Sequence, residues 1–336
     1  MNLTRRVTIR DVAARAEVSI ATVSKVINGR YGVASDTIER VERVIADLGY
    51  EASLAAQSLR NRRTNVIGVL VADFEPFSTE VLKGAADAIR GTGFELVVYS
   101  AGGRVGEHVG WERRYLSRLS GTLVDGAVIV TPTVTDINYG APIVAVDPHT
   151  GPSEMPTVDA DNWHGACLAV GHLLDLGHRR IAMISGRPDL QSAQMREGGY
   201  RATLTAADIP VDESLIQLGA YDPDVARQAA YSLLTMPDRP TAMFAANDLS
   251  AITAMEVAAE LGLRVPDDLS LVGFDNIPES ALATPPLTTV AQPIRQMGQH
   301  AMELLVRLIR EEPVETNHIR LTTQLVERQS TRAAGR

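Results

Sequence analysis

The sequence is poor in cysteine and has neither a long apolar run nor an apolar leader. Cys167 is the single cysteine among 336 residues, so no disulfide can form within one chain, and we expect a reducing, cytoplasmic location. No apolar segment reaches the roughly 18 residues that a membrane-spanning helix needs. The N-terminus, MNLTRRVTIR, lacks the apolar core of a secretory signal. These absences exclude a disulfide scaffold and predict no membrane partner.

Short motifs typical of common enzyme classes are also missing. The chain contains no HExxH, G-x-S-x-G, GxxxxGK[ST] or CxxC. The histidines, of which there are seven, show no spacing that suits a metal site. We therefore predict no catalytic residues, no metal and no cofactor, and we expect the protein not to be an enzyme.

Charge is distributed unevenly along the chain. The formal net charge of −9 by itself argues against a nucleic-acid-binding protein. Residues 1–63, however, contain eleven Lys and Arg against seven Asp and Glu, a formal charge of +4, which leaves −13 for the remainder. A basic head on an acidic body concentrates attraction for DNA at one end of the chain.

The head shows the pattern of three short helices. Thr8 with Asp11 resembles a shortened capping box, and Ser19 can cap a second helix over residues 20–28. A third helix is predicted over about 36–48, ending at a glycine. Two short helices joined by a tight turn, followed by a third, are the layout of a helix-turn-helix DNA reader.

The second helix separates a core face from an outward face. Its valines and Ile27 suit a small core, as in any three-helix bundle, but the outward face carries small residues, hydroxyls and one cation. Lys25 would reach a guanine edge or a phosphate, and Ala21 would touch a thymine methyl. The outward residues are Ile20, Ala21, Thr22, Ser24, Lys25 and Asn28.

From Asn65 onward, apolar runs alternate with amphipathic helices. Four buried strands are predicted at 66–72, 94–100, 126–131 and 142–147, and four more at 180–185, 215–219, 241–246 and 269–275. The segment after Pro285 is predicted to cross back to the first series, where a helix over 292–310 packs. Two such series predict two doubly wound α/β lobes with a cleft between them.

Polar residues follow several of these strands. Asp73 follows the first, Asp147 the fourth, Asn247 and Asp248 the seventh, and Asp275 the eighth. Each could merely cap the next helix. Ligands of open α/β sheets bind beyond the carboxyl ends of the strands, and carboxylates and amides there suit the hydroxyls of a sugar. The sequence therefore predicts a polar ligand site in the cleft.

The segment TIRDVAARAEVSIATVSKVINGR resembles the signature of the lactose/galactose repressor family of bacterial transcription regulators, and EASLAAQSLRNRRTNVIGVL resembles that family's hinge helix and its entry into the ligand domain. The resemblance covers essentially the whole chain. It implies an all-α helix-turn-helix head plus a hinge helix, joined to an α/β two-lobed core like that of periplasmic binding proteins. The implied domains are 1–50, 51–63 and 64–336, with lobe 1 at about 64–161 plus 292–320 and lobe 2 at about 162–290 plus 321–330.

The resemblance also implies which residues bind DNA. Leu59 would be a wedge inserted into a central CG step of the minor groove, after the hinge helix has ordered on DNA. Two positions depart from the family pattern: Lys25 stands where Arg is frequent, and Ala34 where Ser is common. The implied DNA-binding residues are Thr8, Ser19, Ile20, Ala21, Thr22, Ser24, Lys25, Asn28, Tyr31, Thr37, Tyr50, Ala56, Gln57, Leu59 and Arg60.

In the body, the resemblance implies an effector site. Arg196 in QMREGGY would grip ligand hydroxyls, and Tyr221 stands where the family often has a stacking aromatic. The implied effector-binding residues are Asp73, Phe74, Phe77, Asp147, Ser192, Arg196, Tyr221, Asn247, Asp275 and Gln292.

The resulting function is a repressor controlled by a small molecule, with a sugar as the expected effector. The tail QSTRAAGR has no heptads, so we predict a homodimer rather than a tetramer, and two heads on a two-fold axis require a palindromic operator on double-stranded DNA. Three alternatives stay open. They are a purine-responsive corepressor-type regulator, a solute-binding protein, against which the head argues, and a glycosidase that uses a carboxylate pair in the cleft.

Overall fold

The computed structural model describes residues 7–27, 31–50, 63–102, 109–119, 124–134, 136–137, 139–151 and 154–335. The chain divides into two compact units, Met1–Thr64 and Asn65–Arg336. No helix within these described stretches is long and apolar enough to cross a membrane.

The first unit is a three-helix head. Its helices are α1 (Ile9–Arg15), α2 (Ile20–Ile27) and α3 (Ser35–Leu48). Val12, Val23 and Val41 are fully buried between them. α3 begins one residue earlier than predicted and ends, as predicted, at Gly49, whose left-handed backbone lets its N–H reach the carbonyls of the last turn. The predicted end of α2 at Asn28 lies outside the described residues.

The second unit alternates strands and helices. In chain order its elements are β1 (Val66–Val71), α4 (Pro76–Ala88), β2 (Glu95–Ser100), α5 (Trp111–Leu119), β3 (Gly126–Val130), β4 (Ile143–Val146), β5 (Thr157–Ala160), α6 (Asn162–Asp175), β6 (Ile181–Ser185), α7 (Gln191–Ala206), β7 (Ile216–Leu218), α8 (Pro223–Leu234), β8 (Ala242–Ala245), α9 (Asp248–Glu260), β9 (Ser270–Asp275), α10 (Pro278–Leu282), β10 (Thr288–Ala291), α11 (Ile294–Ile309), β11 (His318–Leu321) and β12 (Gln324–Val326).

These strands form two six-stranded sheets. The first sheet is parallel throughout and has the order β11-β5-β4-β3-β1-β2, and the second has the order β12-β10-β9-β8-β6-β7. In the second sheet β12 alone runs antiparallel, against β10. The central strands are buried along their whole length because helices cover both faces. Each sheet with its helices makes one lobe, and the carboxyl ends of the parallel strands point into the cleft between the lobes.

Close helix packing covers the first sheet. α4 and α11 approach each other through Gly84, which faces the Arg295 carbonyl, and Gly298, which faces the Val81 carbonyl. A Cβ at either glycine would collide with backbone, so only glycine permits this approach. Glu80 closes the same interface through an ion pair of 2.5 Å with Arg295.

All eight predicted strands are present, each within one residue of its predicted bounds. Four short strands, β5, β10, β11 and β12, were not predicted, because three or four residues rich in Thr, Asp or Arg carry no clear apolar pattern. The segment after Pro285 was therefore wrongly treated as a plain crossing, since β10 first joins the second sheet. α4 also begins three residues before its predicted start, because Glu75 caps it and a proline takes its first position.

Candidate functional site

The start of α2 is held by local hydrogen bonds. The Ser19 hydroxyl accepts the Thr22 backbone N–H at 3.0 Å and lies 2.9 Å from the Thr22 hydroxyl. Thr8 donates its backbone N–H and its hydroxyl to the Asp11 carboxylate, at 2.8 and 2.7 Å, which completes the capping box of α1. Side-chain hydrogen bonds therefore stabilise the starts of both α1 and α2.

The outward face of α2 borders a shallow depression in the head. Its volume is about 460 Å³, and α3 supplies part of its rim. Ile20, Ala21 and Lys25 are exposed, and Thr22 and Ser24 are half-buried. The depression brings together five of the residues predicted to bind DNA, namely Ser19, Ala21, Thr22, Lys25 and Thr37.

The remaining predicted DNA-binding residues differ in exposure and in the contacts that they already make. Tyr31 is fully exposed before α3, whereas Tyr50 is half-buried and packs against the small core of the head. The hydroxyl of Thr8 is already engaged by Asp11. Five further predicted residues lie outside the described part of the chain: Asn28, Ala56, Gln57, Leu59 and Arg60.

In the second unit, Arg196 lies at the centre of the cleft. It is 4% exposed and sits on α7. Its Nε donates to Asn162 at 2.9 Å, and its Nη1 donates to the Ala246 carbonyl and to Asp275 at 3.4 Å. The guanidinium also stacks on the ring of Phe274 at 3.9 Å. These contacts fix the charged fork, and its Nη2 has no hydrogen-bond partner among the described residues.

Asp275 is the carboxylate next to this guanidinium. Gln292 Nε2 donates to its Oδ1 at 2.6 Å, so both protein hydrogen bonds to the carboxylate use the same oxygen. Burial raises the pKa of Asp275 to about 7, against the opposing influence of Arg196 and Gln292. The oxygen of the Gln292 amide, Oε1, is buried and has no hydrogen-bond partner among the described residues.

A second buried carboxylate, Asp147, reaches the cleft from the first lobe. It follows β4, is 9% exposed and accepts a hydrogen bond from Ser192 at the start of α7. Burial raises its pKa as well, although Arg196 acts in the opposite direction. Asp147 and Ser192 belong to different lobes, so this contact crosses the cleft.

Tyr221 forms one wall of the cleft. Its ring lies against Gly186, where a side chain would collide with it, and the Arg196 guanidinium is 5.8 Å from its centroid. The Tyr221 hydroxyl is buried without a partner among the described residues, and burial raises its pKa to about 12. Tyr221, Asp147 and Asp275 all have positive φ. Such strained backbone is typical of residues held for binding.

The two polar residues after β8, Asn247 and Asp248, have different roles. Asn247 caps α9, because its Oδ1 accepts the Ser250 N–H at 3.0 Å, and its amide nitrogen has no hydrogen-bond partner among the described residues. Asp248 is fully buried and accepts the Ile277 N–H at 2.9 Å and the Thr289 hydroxyl at 2.5 Å. Asp248 therefore braces the end of β9 and does not face the cleft opening.

The loop after β1 supplies the rim. Asp73 and Phe74 are exposed, and Phe77 is half-buried against the first core. These three predicted effector residues do not share the buried centre with Arg196. The other seven, namely Asp147, Ser192, Arg196, Tyr221, Asn247, Asp275 and Gln292, lie at the carboxyl ends of strands or the first turns of the next elements.

Sequence reasoning missed three residues of the cleft. Asn162 holds Arg196 but follows β5, the short strand that was not recognised, and Phe274 was assigned only to the strand core. Glu75 was not considered, although its charge acts on Asp275. A proline at the first position of α4 was the available signal for Glu75 as an N-cap.

Comparisons with known proteins agree with both units. Residues 8–53 match the family described as bacterial regulatory proteins, lacI family, and residues 170–331 match the periplasmic binding protein-like domain. The chain is 34% identical over 329 residues to an HTH-type transcriptional repressor PurR from Vibrio atlanticus (strain LGP32), covering 96% of this chain and 97% of that one.

Solved structures give the same result. A complex of the transcriptional regulator CelR with cellobiose is 35% identical, with a TM-score of 0.71 and coverage of 97% of this chain and 100% of that one. A Lac repressor dimer bound to operator and the anti-inducer ONPF is 29% identical, with a TM-score of 0.82 and coverage of 98% and 100%. With this identity over nearly its whole length, the chain belongs to the lacI family of bacterial regulatory proteins and is a DNA-binding regulator of transcription.

Proposed function

We propose that the protein is a dimeric repressor that binds a palindromic operator and is controlled by a sugar bound in the cleft. The observation that supports the sugar most directly is the polar centre of the cleft. One guanidinium, two carboxylates and two amides converge there beside the Tyr221 ring. Planar groups of this kind pair with vicinal hydroxyls, and an aromatic ring covers the apolar face of a sugar. The similar CelR structure contains cellobiose.

On the DNA side, the face of α2 would lie in the major groove. The exposed methyl of Ala21 suits a thymine, Lys25 suits a guanine edge or phosphate, and the Ser and Thr hydroxyls suit phosphates. The segment 51–63 would form the hinge helix. Leu59 would then unstack a central CG step, which costs a few kcal/mol and gains wrapped contact surface.

Control would arise from closure of the two lobes. Asp147 and Ser192 approach each other across the cleft, and a ligand that bridges Asp147 to Arg196 would stabilise a closed state. If closure shifts the first lobes of a dimer against each other, the hinge helices change their pairing on DNA. Ligand and operator would then be coupled reciprocally, typically by 1–3 kcal/mol.

The test measures this coupling. An operator is selected from random duplexes with the purified full-length protein, and its affinity is measured by fluorescence anisotropy with and without a sugar that raises the melting temperature. We expect the operator affinity to change about 5- to 150-fold. An unchanged affinity at saturating sugar would contradict an effector role while leaving the DNA head intact.

A purine is the alternative effector, because a repressor named PurR is among the similar proteins. A neutral purine ring could stack on Tyr221 and pair with Asp275. Hypoxanthine and guanine therefore belong in the same melting-temperature screen, and a purine that strengthens operator binding would replace the sugar.

We also propose that the protein has no catalytic activity and works in the cytoplasm, where chromosomal DNA is accessible. The positive charge of Arg196 acts on both cleft carboxylates, Asp147 and Asp275, which favours binding over hydrolysis. An assay for release of reducing ends from the identified ligand tests this directly, and turnover would contradict it.

A further inference from the structure

The charges of the cleft do not balance. The charges of Glu75 and Asp147 both act on Asp275, and within the described part of the cleft these three carboxyl groups face one unshared guanidinium, that of Arg196. Other cations nearby are already committed. Arg187 pairs with Asp189 at 2.7 Å on the rim, and Arg328 is bonded behind β9 to Asn276 at 2.6 Å.

Hydrogen-bond acceptors are also in excess. A carboxylate offers about four acceptor positions, and the protein hydrogen bonds to Asp275 use only its Oδ1. Among the described residues, Asp147 receives one bond, from Ser192, and Gln292 Oε1 is buried with no partner. The donors that face a ligand are fewer: Nη2 of Arg196, the Tyr221 hydroxyl and the amide of Asn247. A ligand that satisfies this cleft must donate more hydrogen bonds than it accepts.

We infer that the cleft excludes anionic ligands and binds an uncharged or cationic polyhydroxy compound, and that Asp147 sets this exclusion. The inference rests on the proposed sugar effector and narrows it. Sugar phosphates, uronates and aldonates would bring a further negative charge beside two buried carboxylates. Neutral sugars and amino sugars instead supply hydroxyl or ammonium donors to the same oxygens.

The expected difference in affinity between an anionic ligand and its neutral parent is large. An anion held about 6 Å from Asp147 at an effective dielectric constant of about 20 would bind about 100-fold more weakly than its neutral parent. Asp147 is the determinant because it enters from the first lobe without a guanidinium in hydrogen-bond contact, whereas Asp275 touches Arg196 directly.

The experiment uses matched sugar series and the full-length protein. Glucose, ribose and cellobiose are compared with glucosamine, glucuronate, glucose 6-phosphate, ribose 5-phosphate and cellobionate, first by melting temperature and then by calorimetry. We expect binding by at least one neutral parent, binding within about tenfold by an amino derivative of a bound parent, and about 100-fold weaker binding by the anions. An anion that binds as tightly as its parent overturns the inference but leaves a sugar effector standing.

Substitutions then assign the exclusion. Asp147→Asn keeps the size of the side chain and should reduce the discrimination against the anion to about tenfold or less. Asp238→Asn, which removes an exposed carboxylate of the second lobe, should leave it unchanged. If Asp147→Asn does not fold, Asp147→Ser serves as the second removal of this charge. Undiminished discrimination in a folded variant without the Asp147 charge overturns the assignment to this carboxylate. If no compound of the whole series binds, the proposal of a sugar effector is itself overturned.

Discussion

The head and the cleft use polar side chains in opposite ways. In the head, the described candidate contacts are exposed or half-buried, and hydrogen bonds run between neighbours in sequence, as in Ser19 with Thr22. At the centre of the cleft, charged candidate contacts are buried, and their partners are far away in sequence, as in Arg196 with Asp275. The head thus presents a surface to a large partner, whereas the cleft prepares an interior for a small one.

This difference has an energetic consequence. An exposed lysine loses little when it has no partner, because water solvates it. A buried carboxylate without a partner costs free energy until a ligand or a proton satisfies it. The raised pKa values of Asp147 and Asp275 are signs of that cost. Changes in the cleft should therefore affect stability, and changes on the head surface should affect DNA binding alone.

The largest expected effect is that of Arg196→Met. The variant leaves two buried carboxylates without their cation, so the free energy of unfolding should fall by about 3–5 kcal/mol at pH 8, measured by urea denaturation. The loss should shrink at pH 5, where the carboxylates can take up protons. Arg201→Met on the same helix, which removes a partly exposed pair, should cost about 1 kcal/mol or less. Equal losses of stability in the two variants would contradict the expectation that the buried charges of the cleft cost more than exposed ones.

The next effect concerns the proposed hinge. Leu59→Ala should weaken binding to the selected operator by a few kcal/mol, because the wedge no longer supports the kinked CG step. Binding to a scrambled duplex should stay unchanged, and so should the melting temperature of the second unit. The measurement is fluorescence anisotropy on both duplexes, and the same loss on scrambled DNA would exclude the wedge.

A smaller effect is expected for Lys25→Ala on the exposed face of α2. Operator affinity should fall by about 1–3 kcal/mol, with relaxed preference at one base position, if the ammonium reads a guanine edge. Stability to urea should not change, which separates this residue from Arg196. A uniform loss across sequences with a shallower salt dependence would make Lys25 a phosphate contact.

The smallest expected effect is the pH dependence of ligand binding. Asp275 has a raised pKa of about 7 in the folded protein, and ligand hydroxyls that donate to its carboxylate would lower that pKa. Binding should therefore release a proton, and affinity should rise by at most tenfold per pH unit up to about pH 7 and then level off. The ligand-free protein should show the opposite sign, losing stability as pH rises from about 4 to 7. Calorimetry in two buffers of different ionisation enthalpy checks the proton release.

The fold could be predicted from the sequence to different extents in different places. The eight strands with long apolar runs, and the helices with caps or clear periodicity, were correct because those signals are local. β5, β10, β11 and β12 were missed because their burial depends on neighbouring strands. Because β5 was not predicted, Asn162, which follows it and accepts a hydrogen bond from Arg196, was missed as well.

The candidate site could likewise be predicted only where local sequence signals identify a residue. Motif resemblance predicted Arg196, and the strand ends predicted Asp147, Asn247 and Asp275 as candidates. The lack of a hydrogen-bond partner among the described residues for Gln292 Oε1 and the Tyr221 hydroxyl could not be predicted, because hydrogen-bond satisfaction is a property of packed neighbours. The same holds for the stacking of Arg196 on Phe274.

The sequence by itself determined the helix-turn-helix, the two α/β lobes and the identity of the polar side chains at the cleft. Caps, turns and apolar periodicity act over a few residues, so they can be read from the chain directly. The tertiary structure alone decided which of those side chains are desolvated together and how their charges balance. Desolvation and electrostatic interaction depend on distance in space, and residues such as Asp147 and Arg196 meet only after both sheets have formed.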